Sequence, residues 1–291
     1  MIAELRCISS ARALLGESPL WDFREKCLYW VDIEGKTLHR YRPDDETTTS
    51  IPVAEEIGCI AMREGGGLVA ASRSGFAFLD PGKGTLEIVV SPEPEQPGNR
   101  FNDGKCDRRG RFWAGTMDAA GEKTSGSLYR LSPGLSASRV LTGVTIPNGI
   151  GWSPDDRTMY FTDSAQGTIV AFYFESESGE IGSSKGFASI AAADGVPDGL
   201  TVDAEGYVWS AHWGGWRVTR YNPEGAVDRV ITLPVPRPTS CAFGGELLDR
   251  LYVTSASIGL LPEQLAKAPL SGGIFELNVG VRGRREPCFS G

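Results

Sequence analysis

Apolar and polar positions alternate along this chain in short runs separated by turn residues, and the pattern is clearest between Ile146 and Phe174. There a polar-glycine pair, Asn148-Gly149, leads into an apolar strand, Ile150 to Trp152. A Ser-Pro-Asp-Asp turn follows, then a second strand, Met159 to Thr162, a loop from Asp163 to Gly167, and a third alternating run, Thr168 to Phe174. Period-two alternation bounded by such turns predicts a β-meander.

The same unit recurs. Its second-strand anchor falls at Leu28, Leu68, Phe112, Met159, Val208 and Leu251, with spacings of 40, 44, 47, 49 and 43 residues. A period of this length over six copies predicts a propeller. The predicted fold is therefore all-β: one six-bladed propeller domain over residues 1–291, with four-stranded antiparallel blades, each of which needs its neighbours to bury its faces. The stretch Ile2 to Ser9 reads as a strand with no blade of its own, while the last blade, from Ser240 to the strand Gly273 to Val279, is one strand short. The N-terminal strand is expected to complete that blade and close the ring. Two longer excursions interrupt the pattern, Asp118 to Ser125 in blade three and Ser257 to Ser271 in blade six, the latter with a helical turn around Pro262 to Lys267.

Composition narrows the function classes. A hydrophobic fraction of 41% with 37 glycines and 18 prolines suits a globular chain with many turns. A net charge of −8 disfavours nucleic acid or an anionic membrane as partner. No apolar run reaches membrane-spanning length, and Met1 to Ala13 lacks the features of a signal peptide, so a cytoplasmic location is expected, with a monomer as the plausible state. The six cysteines, none in a Cys-x-x-Cys pair, read as free thiols at small buried positions.

In a propeller the inner strands start at one end of the central channel, and the loops between second and third strands return to that end. The six inner-strand starts are Glu17, Ile57, Asn102, Asn148, Asp198 and Thr239, each 10 to 12 residues before its anchor. Taken singly, Asn-Gly or Asp-Gly is commonest as a tight turn. At one phase of a ring, two carboxylates and two amides bring oxygen ligands to one point, as a divalent cation requires; Ca²⁺, Mg²⁺ or Mn²⁺ suit such donors. With only His39 and His212, a three-histidine zinc site is excluded. Gly182 to Gly186 matches Gly-x-Ser-x-Gly but lies in a polar connection without the strand-to-helix setting of a serine nucleophile.

Several segments together resemble the SMP-30/gluconolactonase (regucalcin-like) family: Gly16-Glu17-Ser18-Pro19, Asn99-Arg100-Phe101-Asn102-Asp103-Gly104, Ala114-Gly115-Thr116-Met117, Ile146-Pro147-Asn148-Gly149 and Pro197-Asp198-Gly199-Leu200. The resemblance covers almost the whole chain, in family order. It implies a metal-dependent hydrolase of sugar-acid lactones such as glucono-, arabino- or xylonolactone. It also implies one divalent cation (Ca, Mn, Mg, Zn or Fe) on Glu17, Asn148 and Asp198, with Arg100 and Asn102 contacting substrate. A substrate-contacting glutamate of some relatives falls on Ala120 here, so that contact is either absent or supplied by Asp118 or Glu122 on a shifted loop. Asp198 is the candidate general base. His212, Trp213, Trp216, Asp163 and Ser164 fall on cavity-side loops. Other readings are a promiscuous esterase or organophosphate hydrolase, and a non-enzymatic calcium-binding propeller.

Overall fold

The computed structural model describes residues 5–291, whose strands form six four-stranded antiparallel sheets, one per blade. Blade one is built from Gly16–Asp22, Cys27–Asp32, Thr37–Arg42 and Thr47–Pro52, and the next four blades repeat this order from the axis outward. Every anchor named above lies in a second strand and is at most 1% exposed, the direct imprint of the repeat on the core. In the sixth blade, Pro238–Gly244, Arg250–Ser255 and Phe275–Asn278 are completed by Arg6–Cys7, which pairs with Glu276 and Phe275. The N-terminal strand thus closes the ring as expected; residues 2–4 of its predicted extent lie outside the described residues. Pro262–Lys267 is a helix, as predicted.

The core is divided among the six interfaces between blades. Each holds its own apolar cluster, such as Trp113, Trp152, Met159 and Phe174 between blades three and four, where the rings meet at 5.8–6.0 Å. Blades one and six are joined in the same way by Trp21, Trp30 and Tyr252 with Ile8 and Ile274. A blade alone would leave both faces wet, which is why the fold needs the full ring.

Two features differ from the sequence reading. The segment containing Gly182 to Gly186 belongs to the outer strand Glu180–Ser189, with Ser183 and Ser184 exposed on it. Of the six free cysteines, four are buried, whereas Cys7 and Cys288 are partly exposed.

The two ends of the channel are unlike. At one end the C-terminal segment crosses the blades: Phe289 is buried and donates its N–H to Met62 O at 2.7 Å, and Glu286 pairs with Lys105 at 3.1 Å. At the other end a cavity of about 520 Å³ opens onto the axis.

Candidate active site

All six inner strands slip register at the axis, between Glu17 and Leu20, Ile57 and Cys59, Phe101 and Gly104, Pro147 and Ile150, Pro197 and Leu200, and Pro238 and Cys241. A bulge re-aims the side chains it contains, here into the channel. The Asn-Gly and Asp-Gly pairs are therefore parts of bulged strands rather than turns. Their glycines serve close approach: a Cβ on Gly149 would lie 2.8 Å from Asp198 O, and one on Gly58 would lie 2.2 Å from Asn102 O.

Glu17, Asn148 and Asp198 line the cavity together with Arg100 and Asn102. All five are buried, with exposures of 5–8%. A chain of hydrogen bonds runs round the floor. Arg100 Nη1 donates to Asn102 Oδ1 (2.8 Å), and Asn102 Nδ2 donates to Pro147 O (2.8 Å) and to Asn148 Oδ1 (3.2 Å). Asn148 Nδ2 donates to Ser164 Oγ (2.8 Å), which donates to Pro197 O (2.6 Å), the carbonyl just before Asp198. Because the Ser164 hydroxyl proton is committed to Pro197 O, Ser164 Oγ faces Asn148 as an acceptor. That orients the amide with its NH₂ toward Ser164 and its oxygen on the side of Asn102.

The electrostatics are those of a site short of positive charge. Burial, reinforced by the negative charges of Asp198 and Asp103, holds Glu17 well above the usual carboxylate range, and burial with Asp103 does the same to Asp198. Asp103, just below, is pushed up to about 6, chiefly by burial. Arg100 is lowered by burial, opposed by the nearby charges of Glu34, Glu17 and Glu56. Asp198 Oδ1 is buried and has no hydrogen-bond partner among the described residues. An unpaired buried carboxylate oxygen is costly, and a bound cation removes that cost. The oxygen donors Glu17, Asp198 and Asn148 Oδ1 therefore fit a hard divalent cation, and neither histidine nor cysteine lines the cavity.

The remaining expected residues are placed differently. Asp118 and Glu122 do not line the cavity; Ala119, Ala120 and Gly121 do. The Asp118 carboxylate is turned into its own loop, accepting Glu122 N at 3.3 Å and facing Lys123 Nζ at 3.5 Å, while Glu122 is exposed. Asp163 accepts the backbone N–H groups of Thr145, Ile146 and Ala165, and so shapes the loop instead of facing a ligand. His212 is buried between Asp194 O (2.9 Å) and the Tyr221 hydroxyl (3.2 Å), a packing role. Trp213 lines the cavity; Trp216 does not and is 41% exposed. Glu34 on a blade-one loop and Arg237 ahead of the blade-six inner strand are polar cavity residues that escaped the sequence reading, which placed Ser164 on a cavity-side loop without its bridging role.

Residues 15–257 match the family model described as SMP-30/Gluconolactonase/LRE-like region. The chain belongs to this family. A 6-deoxy-6-sulfogluconolactonase from Pseudomonas putida is 38% identical over 99% of both chains. Regucalcin from Xenopus laevis is 36% identical, again over 99% of both chains. Among solved structures, a regucalcin from Agrobacterium tumefaciens, described as calcium-binding, superposes with a TM-score of 0.94 at 30% identity, covering 99% of this chain and 97% of its own.

Proposed function

We propose that this protein hydrolyses lactones of sugar acids to the open-chain aldonic acids, with a divalent cation held by Glu17, Asn148 and Asp198. The observation that carries the reading is the unpartnered, buried Asp198 Oδ1 beside Glu17 on the polar floor of the cavity. Family relatives named as lactonases support the reaction type. A cation bound there would supply electrophilic polarisation of an ester carbonyl.

The residues themselves account for the rest. Asp198, through whichever carboxylate oxygen is not holding the cation, takes a proton from water as the water oxygen bonds to the carbonyl carbon. As the carbon–oxygen bond of the ring breaks, the proton passes from Asp198 to the departing ring oxygen, so one water is consumed and one carboxylic acid formed. Glu17 stays as a permanent anchor. Arg100 offers a fixed fork of donors, and Asn102 holds it in place, so the pair reads substrate hydroxyls through both donors and acceptors. A site built this way rejects analogues that lack those hydroxyls. Ala119 to Gly121, in place of a polar contact, offer the ring an apolar wall.

The test is proton release from a panel of pentono- and hexonolactones by chelator-stripped protein resupplied singly with Ca²⁺, Mg²⁺, Mn²⁺, Zn²⁺ or Fe²⁺, with a phenyl ester and a phosphotriester as comparison substrates. Hydrolysis lost on stripping and restored by an ion is expected, with Asp198→Asn binding the ion but losing about 10²-fold or more in kcat. Full activity of Asp198→Asn sinks the base assignment. Preference for the phenyl ester would favour the esterase reading, and lactone rates at the spontaneous level with every ion would favour a non-enzymatic cation-binding propeller.

A further inference from the structure

The ring repeat brings two arginines to equivalent places. Arg100 lies two residues ahead of the axis position Asn102 in blade three, and Arg237 lies two residues ahead of Thr239 in blade six. Blades three and six face each other across a six-bladed ring. At ~3.3 Å per residue, both side chains start roughly 6–7 Å above the axis layer. The same position in blades one, four and five is Leu15, Ile146 and Val196, which also line the cavity. In blade two that position is Glu55, which does not line the cavity, so apart from the two cations and Glu34 the wall above the floor is apolar, the Trp213 indole included.

The two arginines are not alike in their surroundings. Arg100 lies in the field of Glu34, Glu17 and Glu56. Arg237 forms no ion pair among the described residues, and burial alone perturbs it. Its partners are neutral. The guanidinium lies over the Trp213 ring at 4.7 Å, Nη1 donates to Ile258 O, and Nη2 reaches Gly259 O at 3.5 Å. Gly259, with a φ of +67°, would bring a Cβ to 3.0 Å from Nη1, so the loop is shaped around this group. That loop is itself tied down, since Ser257 N and Ile258 N both donate to Leu14 O at 2.9–3.0 Å. A fixed, half-buried cation stacked on an indole and lacking a counter-charge is built to meet an anion.

We propose that Arg237 recognises a negatively charged substituent of the substrate, and that the preferred substrates are aldonolactones carrying an anionic group on the carbon farthest from the carbonyl. The inference rests on the lactonase reading above. With the carbonyl at the floor, such a group extends up the wall to the height of Arg237, opposite Arg100. Sulfonate, phosphate and carboxylate share the required chemistry.

The experiment compares kcat/KM for gluconolactone with that for its 6-sulfo, 6-phospho and 6-carboxylate counterparts, in the wild type, Arg237→Met and Arg237→Lys. The wild type is expected to favour at least one anionic lactone by about tenfold or more over the neutral one. The anionic-to-neutral ratio should fall about 10- to 100-fold in Arg237→Met, the range for losing a hydrogen bond to a charged group, and be partly retained in Arg237→Lys. Which of the three anions shows the largest ratio identifies the source. A ratio unchanged in Arg237→Met, or a wild type indifferent to the charge, overturns the proposal. Should the wild type open no lactone with any ion, the lactonase reading fails instead. Titration calorimetry of 6-phosphogluconate against gluconate then decides on Arg237 alone: tighter binding of the phosphate that is lost in Arg237→Met upholds it, and equal affinities overturn it.

Discussion

Gly149 separates two of the residues proposed to hold the cation, and replacing it with alanine tests whether bulge packing positions the site. The added Cβ would lie 2.6 Å from Leu200 Cγ, 2.7 Å from Leu200 N and 2.8 Å from Asp198 O, where ordinary contact begins at 3.4 Å. Leucine can turn aside, but two of the three atoms are backbone of the neighbouring inner strand. That strand must then retreat by roughly 0.6–0.7 Å, an overpacking that costs about 1–3 kcal/mol. For a chain of this size the melting temperature should fall by about 2–4 °C for each kcal/mol. The larger effect is on geometry, since Asp198 moves away from Asn148 and Glu17, and displacements of about 1 Å at reacting groups cost of order 10²-fold in rate. We therefore expect Gly149→Ala to fold, to melt several degrees lower, and to lose tens-fold in lactonase kcat/KM with the restoring ion saturating. Gly186→Ala is the control, because its Cβ meets nothing within 4 Å and it sits on the outer strand of the same blade. If Gly149→Ala melts and turns over like Gly186→Ala, the claim that glycine is needed there for close approach is wrong.

Two further predictions concern the scaffold. Asp203 is fully buried and accepts Trp209 Nε1 (2.9 Å) and two guanidinium nitrogens of Arg220 (2.7 and 2.9 Å), so Asp203→Ala should destabilise by about 3–5 kcal/mol by stranding a buried arginine. The partners Glu205 and Asp228 place the result toward the lower end, and a urea-unfolding loss below about 1 kcal/mol would contradict it. Burial lowers the pKa of His39, which stacks on Trp30 at 4.9 Å, so the folded state holds it neutral. Its contribution to stability is then present above the unfolded value of about 6.5 and is lost as the pH falls through the lower folded value. The stability difference between wild type and His39→Gln should shrink from about pH 8 to about pH 5, and a pH-independent difference would refute this.

What the sequence determined by itself was everything that repeats. Anchors from Leu28 to Leu251 mark six blades because the same buried position recurs in each, and the unpaired N-terminal strand announced how the ring closes. The same phase pointed to Glu17, Asn102, Asn148 and Asp198, since ring closure carries one repeat position from every blade to the axis. Contacts between blades were decided only by the tertiary structure. Ser164 bridges Asn148 to the next blade, and the single alternation of its loop carries no trace of Pro197 O. Asp118 turned into its own loop because that loop offered an N–H donor and a lysine, a local competition that composition cannot rank. His212 was absorbed by Tyr221 and a carbonyl for the same reason. Arg237 became visible as a cavity residue only once the blade-six insertion brought the Ile258 and Gly259 carbonyls to its guanidinium, which lies over Trp213. Periodicity specifies which side chains face the axis, whereas the partners each one meets there depend on through-space distances that chain order does not encode.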